Sequence, residues 1–297
     1  MAQDKLKVGI VGGFQMGKST LVNCLLDDKV AKTGGMGVAV TSIPTRYRFG
    51  EIQQVQYFSN GIPVHTCRLH EFLKDGNIPK EIDEVVVFLW KPILKYIDIV
   101  DTPGFKANDK DTTTTNEAIN KLDFVVVLLN NKGLDNLESE VFRHLHHIGK
   151  PFIIVMNCMN SGGTLWDPNS EANKPIAQEI LNRVKAIGAN PIAIDGKSIL
   201  ICNLIWHWFA SEHYLSDTIQ QIQQIEMQTE FYFKNVFKIS PNNYSEIVQR
   251  SNFRLIRQAF DKESLWGFPL NYLEWNSRLA DKLSQWGTTI NQALKKI

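Results

Sequence analysis

The residues best suited to chemistry lie near the N-terminus, directly after an apolar run that ends at Val11. Their spacing fits GxxxxGK[ST], written here as Gly12-Gly13-Phe14-Gln15-Met16-Gly17-Lys18-Ser19, with Thr20 opening a predicted helix. Glycines let such a loop curl until its main-chain N–H groups point inward, and the helix N-terminus adds its dipole. Lys18 can then reach β- and γ-phosphates, and the Ser19 hydroxyl can ligate Mg²⁺. The segment from Gly13 to Thr20 is therefore predicted to hold a Mg²⁺–nucleoside triphosphate.

A second motif, Asp101-Thr102-Pro103-Gly104, follows another apolar run. A carboxylate at the end of a strand can hold Mg²⁺, usually through water, and the N–H of Gly104 can bond the γ-phosphate. Alone, these four residues also fit an ordinary Asx turn. Because they come after the phosphate-binding loop, we predict Asp101 as a metal residue and Gly104 as a nucleotide contact.

The two motifs resemble the first and third signatures of GTPases. The longer pattern Gly-x-Phe-x-x-Gly-Lys-Ser-Thr-Leu-x-Asn is similar to the dynamin superfamily, in particular its bacterial dynamin-like and mitofusin-like members. Its switch I threonine, followed three residues later by proline, is matched by Thr41 and Pro44. The resemblance implies that Thr41 completes the Mg²⁺ shell and senses the γ-phosphate, with Thr45 as the alternative. The 60 residues between Thr41 and Asp101 also match the enlarged G domain of this family.

The base-reading signatures depart from the family pattern. The fourth signature, Asn/Thr-Lys-x-Asp, is matched in register by Asn157, but Cys158 replaces the lysine and Asn160 replaces the aspartate. A carboxylate accepts two hydrogen bonds from guanine, whereas an amide presents one acceptor and one donor. The fifth signature is matched loosely at Asn203, after a predicted strand. We therefore predict base contacts from Asn157, Asn160 and Asn203, with relaxed guanine specificity.

The catalytic residues are also incomplete by Ras-like standards. Phe105 and Lys106 stand where a water-positioning glutamine would follow the third signature. In dynamin-like proteins a side chain of the phosphate-binding loop and a monovalent cation take over on dimerisation. The resemblance thus implies roles in catalysis for Gln15, Lys18 and Thr41, with K⁺ or Na⁺ as a possible further cofactor.

Two functions follow from these motifs. The first is a Mg²⁺-dependent GTPase that releases GDP and phosphate, slowly until it dimerises or binds a partner. The alternative is a nucleotide-gated binding or scaffold module with little or no hydrolysis, and an ATPase gains only from the altered base motif. The expected partners are a guanine nucleotide and either a second copy of the chain or a helical protein.

The elements that must position these residues alternate along the first 210 residues, which indicates an α/β fold with a mostly parallel sheet. Predicted helices lie at about 18–27, 112–121, 136–148, 174–187 and 203–211. Predicted strands are Leu6–Val11, Thr45–Phe49, Val55–Phe58, Val85–Leu89, Tyr96–Val100, Phe124–Leu129, Phe152–Met156 and Ser198–Cys202.

Beyond residue 213 the β-rich runs stop and helical periodicity takes over. Pro241-Asn242-Asn243 and Gly267-Phe268-Pro269 divide this part into about three predicted helices, the last with a coiled-coil-like apolar seam over 272–297. We expect a G domain over residues 1–212 and a helical region over 213–297.

Composition restricts the remaining choices. The formal net charge of the 297 residues is +1, which gives no sign of nucleic-acid binding. The four cysteines have no ligand-like spacing and are expected to be reduced thiols. With no signal peptide and no apolar run of about 20 residues, we expect a cytoplasmic protein. Peripheral membrane binding is possible but not indicated.

Overall fold

The computed structural model describes residues 5–33, 43–74, 78–79, 81–105, 116–159, 167–210 and 243–260. The strands are β1 (Leu6–Gly12), β2 (Thr45–Phe49), β3 (Gln54–Ser59), β4 (Ile62–Cys67), β5 (Glu84–Leu89), β6 (Ile97–Asp101), β7 (Phe124–Asn130), β8 (Phe152–Asn157) and β9 (Ile199–Cys202). The α-helices are α1 (Lys18–Leu26), α2 (Leu69–Lys74), α3 (Asn136–His147), α4 (Asn173–Ala186), α5 (Leu204–Ala210), α6 (Tyr244–Arg250) and α7 (Phe253–Phe260). A 3₁₀ turn covers Pro92–Lys95, and residues 116–120 are also helical.

All nine strands form one mixed sheet in the order β4-β3-β5-β2-β6-β1-β7-β8-β9. The half from β6 to β9 is parallel, as expected where helical crossovers connect the strands. On the other side β2 runs antiparallel to β6, and β3 is antiparallel to both β4 and β5. The parallel half brings the carboxyl ends of β1, β6, β8 and β9 to the same side of the sheet, where the predicted site residues Asp101, Asn157 and Asn203 lie.

The sheet buries two hydrophobic layers. On one face, Leu21 of α1 and Trp208 of α5 pack with Val8 and Tyr47 of the sheet. On the other, Phe142 of α3 and Val184 of α4 pack against the opposite sides of β7 and β8. Strands covered on both faces read as continuous apolar runs, which is why β7 was predictable from its sequence.

The predicted α/β fold is confirmed, with small shifts of the element ends. The strand predicted from Tyr96 to Val100 runs from Ile97 to Asp101, so the metal candidate Asp101 is itself the last strand residue. β4 and α2 were not predicted. β4 is exposed along nearly its whole length because it forms the sheet edge, and it therefore lacks the buried alternation on which strand prediction depends. Of the predicted helix 112–121, residues 112–115 lie outside the described residues.

The described part of the C-terminal region forms two short helices that pack on the sheet domain. Phe253, Ile256 and Phe260 of α7 are buried in the same layer as α1 and α5. Both helices lie within the second of the three predicted segments, and the break at Ser251–Asn252 was not predicted. The seam over 272–297, Pro241-Asn242 and Gly267-Phe268-Pro269 lie outside the described residues, and the domain boundary near 212 stays a prediction. Within the described ranges, no helix is both long and apolar enough to cross a bilayer.

Candidate nucleotide site

The GxxxxGK[ST] motif forms a loop between the end of β1 and the start of α1. Gly17 begins α1 with φ of 95° and Gln15 has φ of 59°, so two left-handed residues curl the chain around the loop. Lys18 is buried, and its Nζ donates to the main-chain oxygens of Gly12 at 3.1 Å and Gly13 at 2.9 Å. Burial lowers the pKa of Lys18, while the nearby Asp101 carboxylate opposes that shift. Lys18, which is predicted to bind phosphate, therefore folds back onto the start of the phosphate-binding loop.

Ser19 and Asp101, two of the three predicted metal residues, are in direct contact. Ser19 Oγ donates to Asp101 Oδ2 at 2.6 Å. The other carboxylate oxygen, Oδ1, is buried and has no hydrogen-bond partner among the described residues, a situation that ordinarily costs about 1–3 kcal/mol. Burial raises the pKa of Asp101 to about 6, against the opposing effects of Lys18 and the Ser19 hydrogen bond. A buried, partly unpaired carboxylate beside a hydroxyl is an oxygen donor set that suits Mg²⁺.

Gly104 lies close against the phosphate-binding loop. Phe105 forms a parallel bridge with Gly13, which extends the pairing of β1 and β6 into the loop. A Cβ on Gly104 would lie 3.0 Å from both Lys18 Nζ and Phe14 Cα. This third signature therefore reaches the lysine that is predicted to bind phosphate, and a larger residue at Gly104 would require the loop or the lysine to shift.

The remaining loop residues are accessible or partly so. Gln15 is exposed, Phe14 is 36% exposed, and Met16 and Thr20 are half-buried. Thr41 lies outside the described residues. Its alternative, Thr45, is buried and is the Cα partner of Asp101 in the β2–β6 ladder, so it adjoins the metal candidates.

Asn157 connects the phosphate-binding loop to the start of α5. Its Nδ2 donates to Met16 O at 3.1 Å, and its Oδ1 accepts from the Leu204 N–H at 3.1 Å. Because the side chain is buried and both ends of its amide are used, it fixes the distance between two parts of the site. Base contact by Asn157 stays a prediction, and Asn160 lies outside the described residues.

Asn203, the third predicted base residue, is fully buried at the end of β9. Its Oδ1 accepts from the Trp206 N–H at 3.0 Å and caps α5, while its Nδ2 donates to Cys158 O at 3.0 Å. Its main-chain N–H donates to Ser251 O at 2.9 Å. Its hydrogen bonds thus link three segments of the chain, and its contact with the base also stays a prediction.

Cys158 occupies the position of the family's lysine and is buried. Burial raises the pKa of its thiol to about 12, with Asp167 adding to the shift. Its main-chain N–H donates to Cys202 O at 2.7 Å, which extends the β8–β9 ladder into this loop. Cys158 therefore acts as a small apolar residue here and supplies no charge to the site.

The residues that connect this side of the sheet to the C-terminal helices were not predicted from the sequence. Asn169 Nδ2 donates to Arg250 O at 3.1 Å, and Asn252 Nδ2 donates to Asn169 Oδ1 at 3.0 Å. Asparagine in irregular segments such as Asp167–Ser170 is common in turns, so the sequence alone carried no signal of this contact.

The fold and these contacts define a P-loop nucleotide-binding protein. The match of residues 7–158 to a family model places it more narrowly: the chain belongs to the GTPase family described as 50S ribosome-binding GTPase.

The resemblance to dynamin-like proteins is confirmed by two curated relatives. Dynamin-like protein 2 of Campylobacter jejuni subsp. jejuni serotype O:23/36 (strain 81-176) is 30% identical over 157 residues, which cover 51% of this chain and 26% of the relative. The probable transmembrane GTPase FZO-like, chloroplastic, of Arabidopsis thaliana is 29% identical over 150 residues, covering 50% of this chain and 14% of the relative. The matched stretch is thus a small part of each relative's length.

Among solved structures, an oligomerised bacterial dynamin pair described as sensing and tethering membranes aligns with a TM-score of 0.47 at 18% identity. That alignment covers 85% of this chain and 37% of the other.

Proposed function

We propose that this protein is a Mg²⁺-dependent GTPase that hydrolyses GTP to GDP and phosphate. The observation that carries the proposal is the contact of Ser19 Oγ with Asp101 Oδ2 at 2.6 Å, beside a buried Lys18. Within the described ranges Asp101 Oδ1 accepts no hydrogen bond, which supports its use as a ligand for a cation or a cation-bound water. Family membership supports GTP as the nucleotide.

In the proposed reaction, water attacks the γ-phosphate and the loop stabilises the charge that develops. Ser19, Asp101 and the switch residue Thr41 would hold Mg²⁺, which when bound neutralises charge on the phosphate oxygens. The Lys18 ammonium would leave the carbonyl oxygens of Gly12 and Gly13 and donate to phosphate oxygens in their place. Main-chain N–H groups of the loop and of Gly104 orient the phosphates.

The residue that positions the water is proposed to be Gln15, alone or with K⁺ or Na⁺. Phe105 follows Gly104, and its buried phenyl side chain has no polar group that could position water. Gln15 is exposed at the mouth of the loop and can donate or accept. Because Gln15 is exposed, we propose that a second copy of the chain or a helical partner orients it, so that turnover is slow and increases on association.

The second candidate function is a nucleotide-gated binding module with little hydrolysis. It is favoured by Phe105, a buried apolar residue in the region where Ras-like enzymes have the water-positioning glutamine. In either case we place the protein in the cytoplasm, with free thiols at Cys24, Cys67, Cys158 and Cys202 as support.

A nucleotide panel tests the proposal. Binding and phosphate release are measured for GTP, ATP and XTP, each with Mg²⁺, on the wild type, Lys18→Ala and the exposed control Lys132→Ala. We expect GTP binding and turnover in the wild type and the control, and loss of both in Lys18→Ala, because the lysine supplies the point charge on the phosphates. Binding without phosphate release would support the second function, and full GTP affinity in Lys18→Ala would reject the phosphate site.

A further inference from the structure

The turn between α6 and α7, formed by Arg250, Ser251 and Asn252 and called here the 250–252 turn, lies against the loops that follow β8 and β9. Ser251 is fully buried, and its carbonyl accepts from the Asn203 N–H at 2.9 Å. Asn252 adopts φ of 57°, a left-handed conformation that turns its amide toward Asn169.

The turn makes three polar contacts with Asp167 and Asn169, which follow β8 in the chain. Asn252 Nδ2 donates to Asn169 Oδ1 at 3.0 Å, and Asn169 Nδ2 donates to Arg250 O at 3.1 Å. The Arg250 guanidinium lies 3.7 Å from the Asp167 carboxylate. Asn169 thus both donates to the turn and accepts from it.

These contacts continue as a chain of hydrogen bonds to the phosphate-binding loop. Asn203, fixed by Ser251, donates through its side chain to Cys158 O. The next residue, Leu204, donates to Asn157 Oδ1, and Asn157 donates to Met16 O. Through these bonds, Asn157 and Asn203, the described residues that are predicted to contact the base, are connected to the 250–252 turn.

Packing alone does not require these polar contacts, because α7 is already anchored by its apolar face. Phe253 stacks on His207 of α5 with ring centroids 4.0 Å apart, and Phe260 is buried in the core. Arg257 additionally pairs with Asp27 at the end of α1, 2.6 Å away. The turn also forms hydrogen bonds with Asn203 and Asn169, which follow β9 and β8 in the chain.

We propose that the 250–252 turn is a positioning element of the base site, with Ser251 holding Asn203 after β9 and Asn252 holding Asn169. The proposal rests on the nucleotide site assigned above. Changes in the helical segment after residue 243 should therefore alter binding of the base and leave binding of the phosphates unchanged.

The test uses Asn252→Gly in the full chain, because glycine keeps the left-handed conformation and removes only the amide. The matched control is Asn60→Gly, another asparagine with positive φ (52°), in the β3–β4 turn. Affinities are measured for Mg²⁺·GTP and for Mg²⁺·tripolyphosphate, which lacks the base. We expect the GTP preference over tripolyphosphate to fall about three- to tenfold in Asn252→Gly, with tripolyphosphate affinity and the control unchanged.

Asn169→Ala removes the same contact from the other side and should lower the preference similarly, with the double variant showing less than additive loss. An unchanged or increased GTP preference would overturn the proposal. If the affinities for both ligands fall equally, the preference is unchanged, the role of the turn is merely structural, and the proposal is likewise overturned. A wild type that does not prefer GTP to tripolyphosphate would instead contradict the proposed function.

Amide hydrogen exchange of the unliganded protein provides a measurement that needs no nucleotide. Asn252→Gly should accelerate exchange of the Asn203 amide about three- to tenfold, because the Ser251 acceptor is then held less firmly. Wild-type protection at Asn203 in that variant would overturn the proposal even if nucleotide binding were never observed.

Discussion

At the scale of single residues, the position of Gly104 sets the tightest steric limit in the site. Alanine there would place its Cβ 3.0 Å from Lys18 Nζ and Phe14 Cα, closer than such contacts normally allow. We expect Gly104→Ala to displace the loop or the lysine and to weaken GTP binding by about tenfold or more. Gly61→Ala, in the remote β3–β4 turn, controls for general loss of stability. Wild-type affinity in Gly104→Ala would show that Gly104 does not approach the bound phosphates.

Asn160, which lies outside the described part of the chain, is predicted to contact the base. Guanine offers two donors, and aspartate can accept both, while asparagine accepts one and can face the other with an N–H. Asn160→Asp should therefore shift preference from XTP toward GTP by roughly 1–3 kcal/mol, about tenfold or more. Competitive titration of both nucleotides measures the shift, with exposed Asn190→Asp as the charge control. An unchanged preference would remove Asn160 from the base site.

At the scale of elements, α3 begins with a capping box whose acid is buried. Asp135 Oδ1 accepts from the Glu138 N–H at 2.7 Å, and Glu138 Oε2 accepts from the Asp135 N–H at 2.9 Å. Burial raises the pKa of Glu138 from its ordinary value of 4.5 to about 7. The folded state therefore binds a proton that the unfolded chain has released between these pH values, and stability falls as pH rises through that window.

Glu138→Gln should remove this pH-dependent loss, because glutamine keeps the acceptor for the Asp135 N–H without a titrating charge. We expect the variant to match the wild type near pH 4 and to exceed its unfolding free energy at pH 8 by roughly 2–3 kcal/mol. Urea unfolding at both pH values measures the difference, with the exposed Glu140→Gln on the same helix as control. Equal stability of wild type and Glu138→Gln at pH 8 would mean that Glu138 is not held in a desolvated site.

Some of these elements could be predicted from the sequence and others could not. β7 and β8 were predictable because strands buried on both faces leave uninterrupted apolar runs. β4 was missed because it is an exposed edge, although Asn60-Gly61 before it is a typical hairpin turn. In the site, Lys18, Ser19 and Asp101 were identifiable because a local motif fixes their spacing. The partners of Asn203 were not, because Ser251 comes from a distant part of the sequence and is brought close only by packing.

At the scale of the whole molecule, the sheet brings together residues that are far apart in sequence. Ser19 meets Asp101, and Asn157 meets both Met16 and Leu204, along one edge of the strands. α7 then extends the helical layer beside α1 and α5. α7 is therefore packed in the same core as α1, the helix that follows the phosphate-binding loop.

Turnover should depend on more than one copy of the chain, since Gln15 is exposed and Phe105 is buried. We expect slow GTP hydrolysis per molecule that rises with protein concentration or on adding K⁺ or Na⁺. The measurement is specific activity across a dilution series in buffers of different monovalent cation. Fast turnover that is unchanged by dilution and by cation identity would indicate a complete active site within one chain.

The central claim, that Ser19 and Asp101 form a Mg²⁺ site serving GTP hydrolysis, is tested most directly by phosphate release from GTP with Mg²⁺ and with EDTA. The proteins compared are the wild type, Asp101→Asn and Asp98→Asn, the last a buried carboxylate of the same strand that pairs with Arg48. We predict Mg²⁺-dependent release in the wild type, its loss in Asp101→Asn, and its retention in whatever fraction of Asp98→Asn remains folded. Phosphate release by Asp101→Asn at the wild-type rate, with the same dependence on Mg²⁺, would contradict the account.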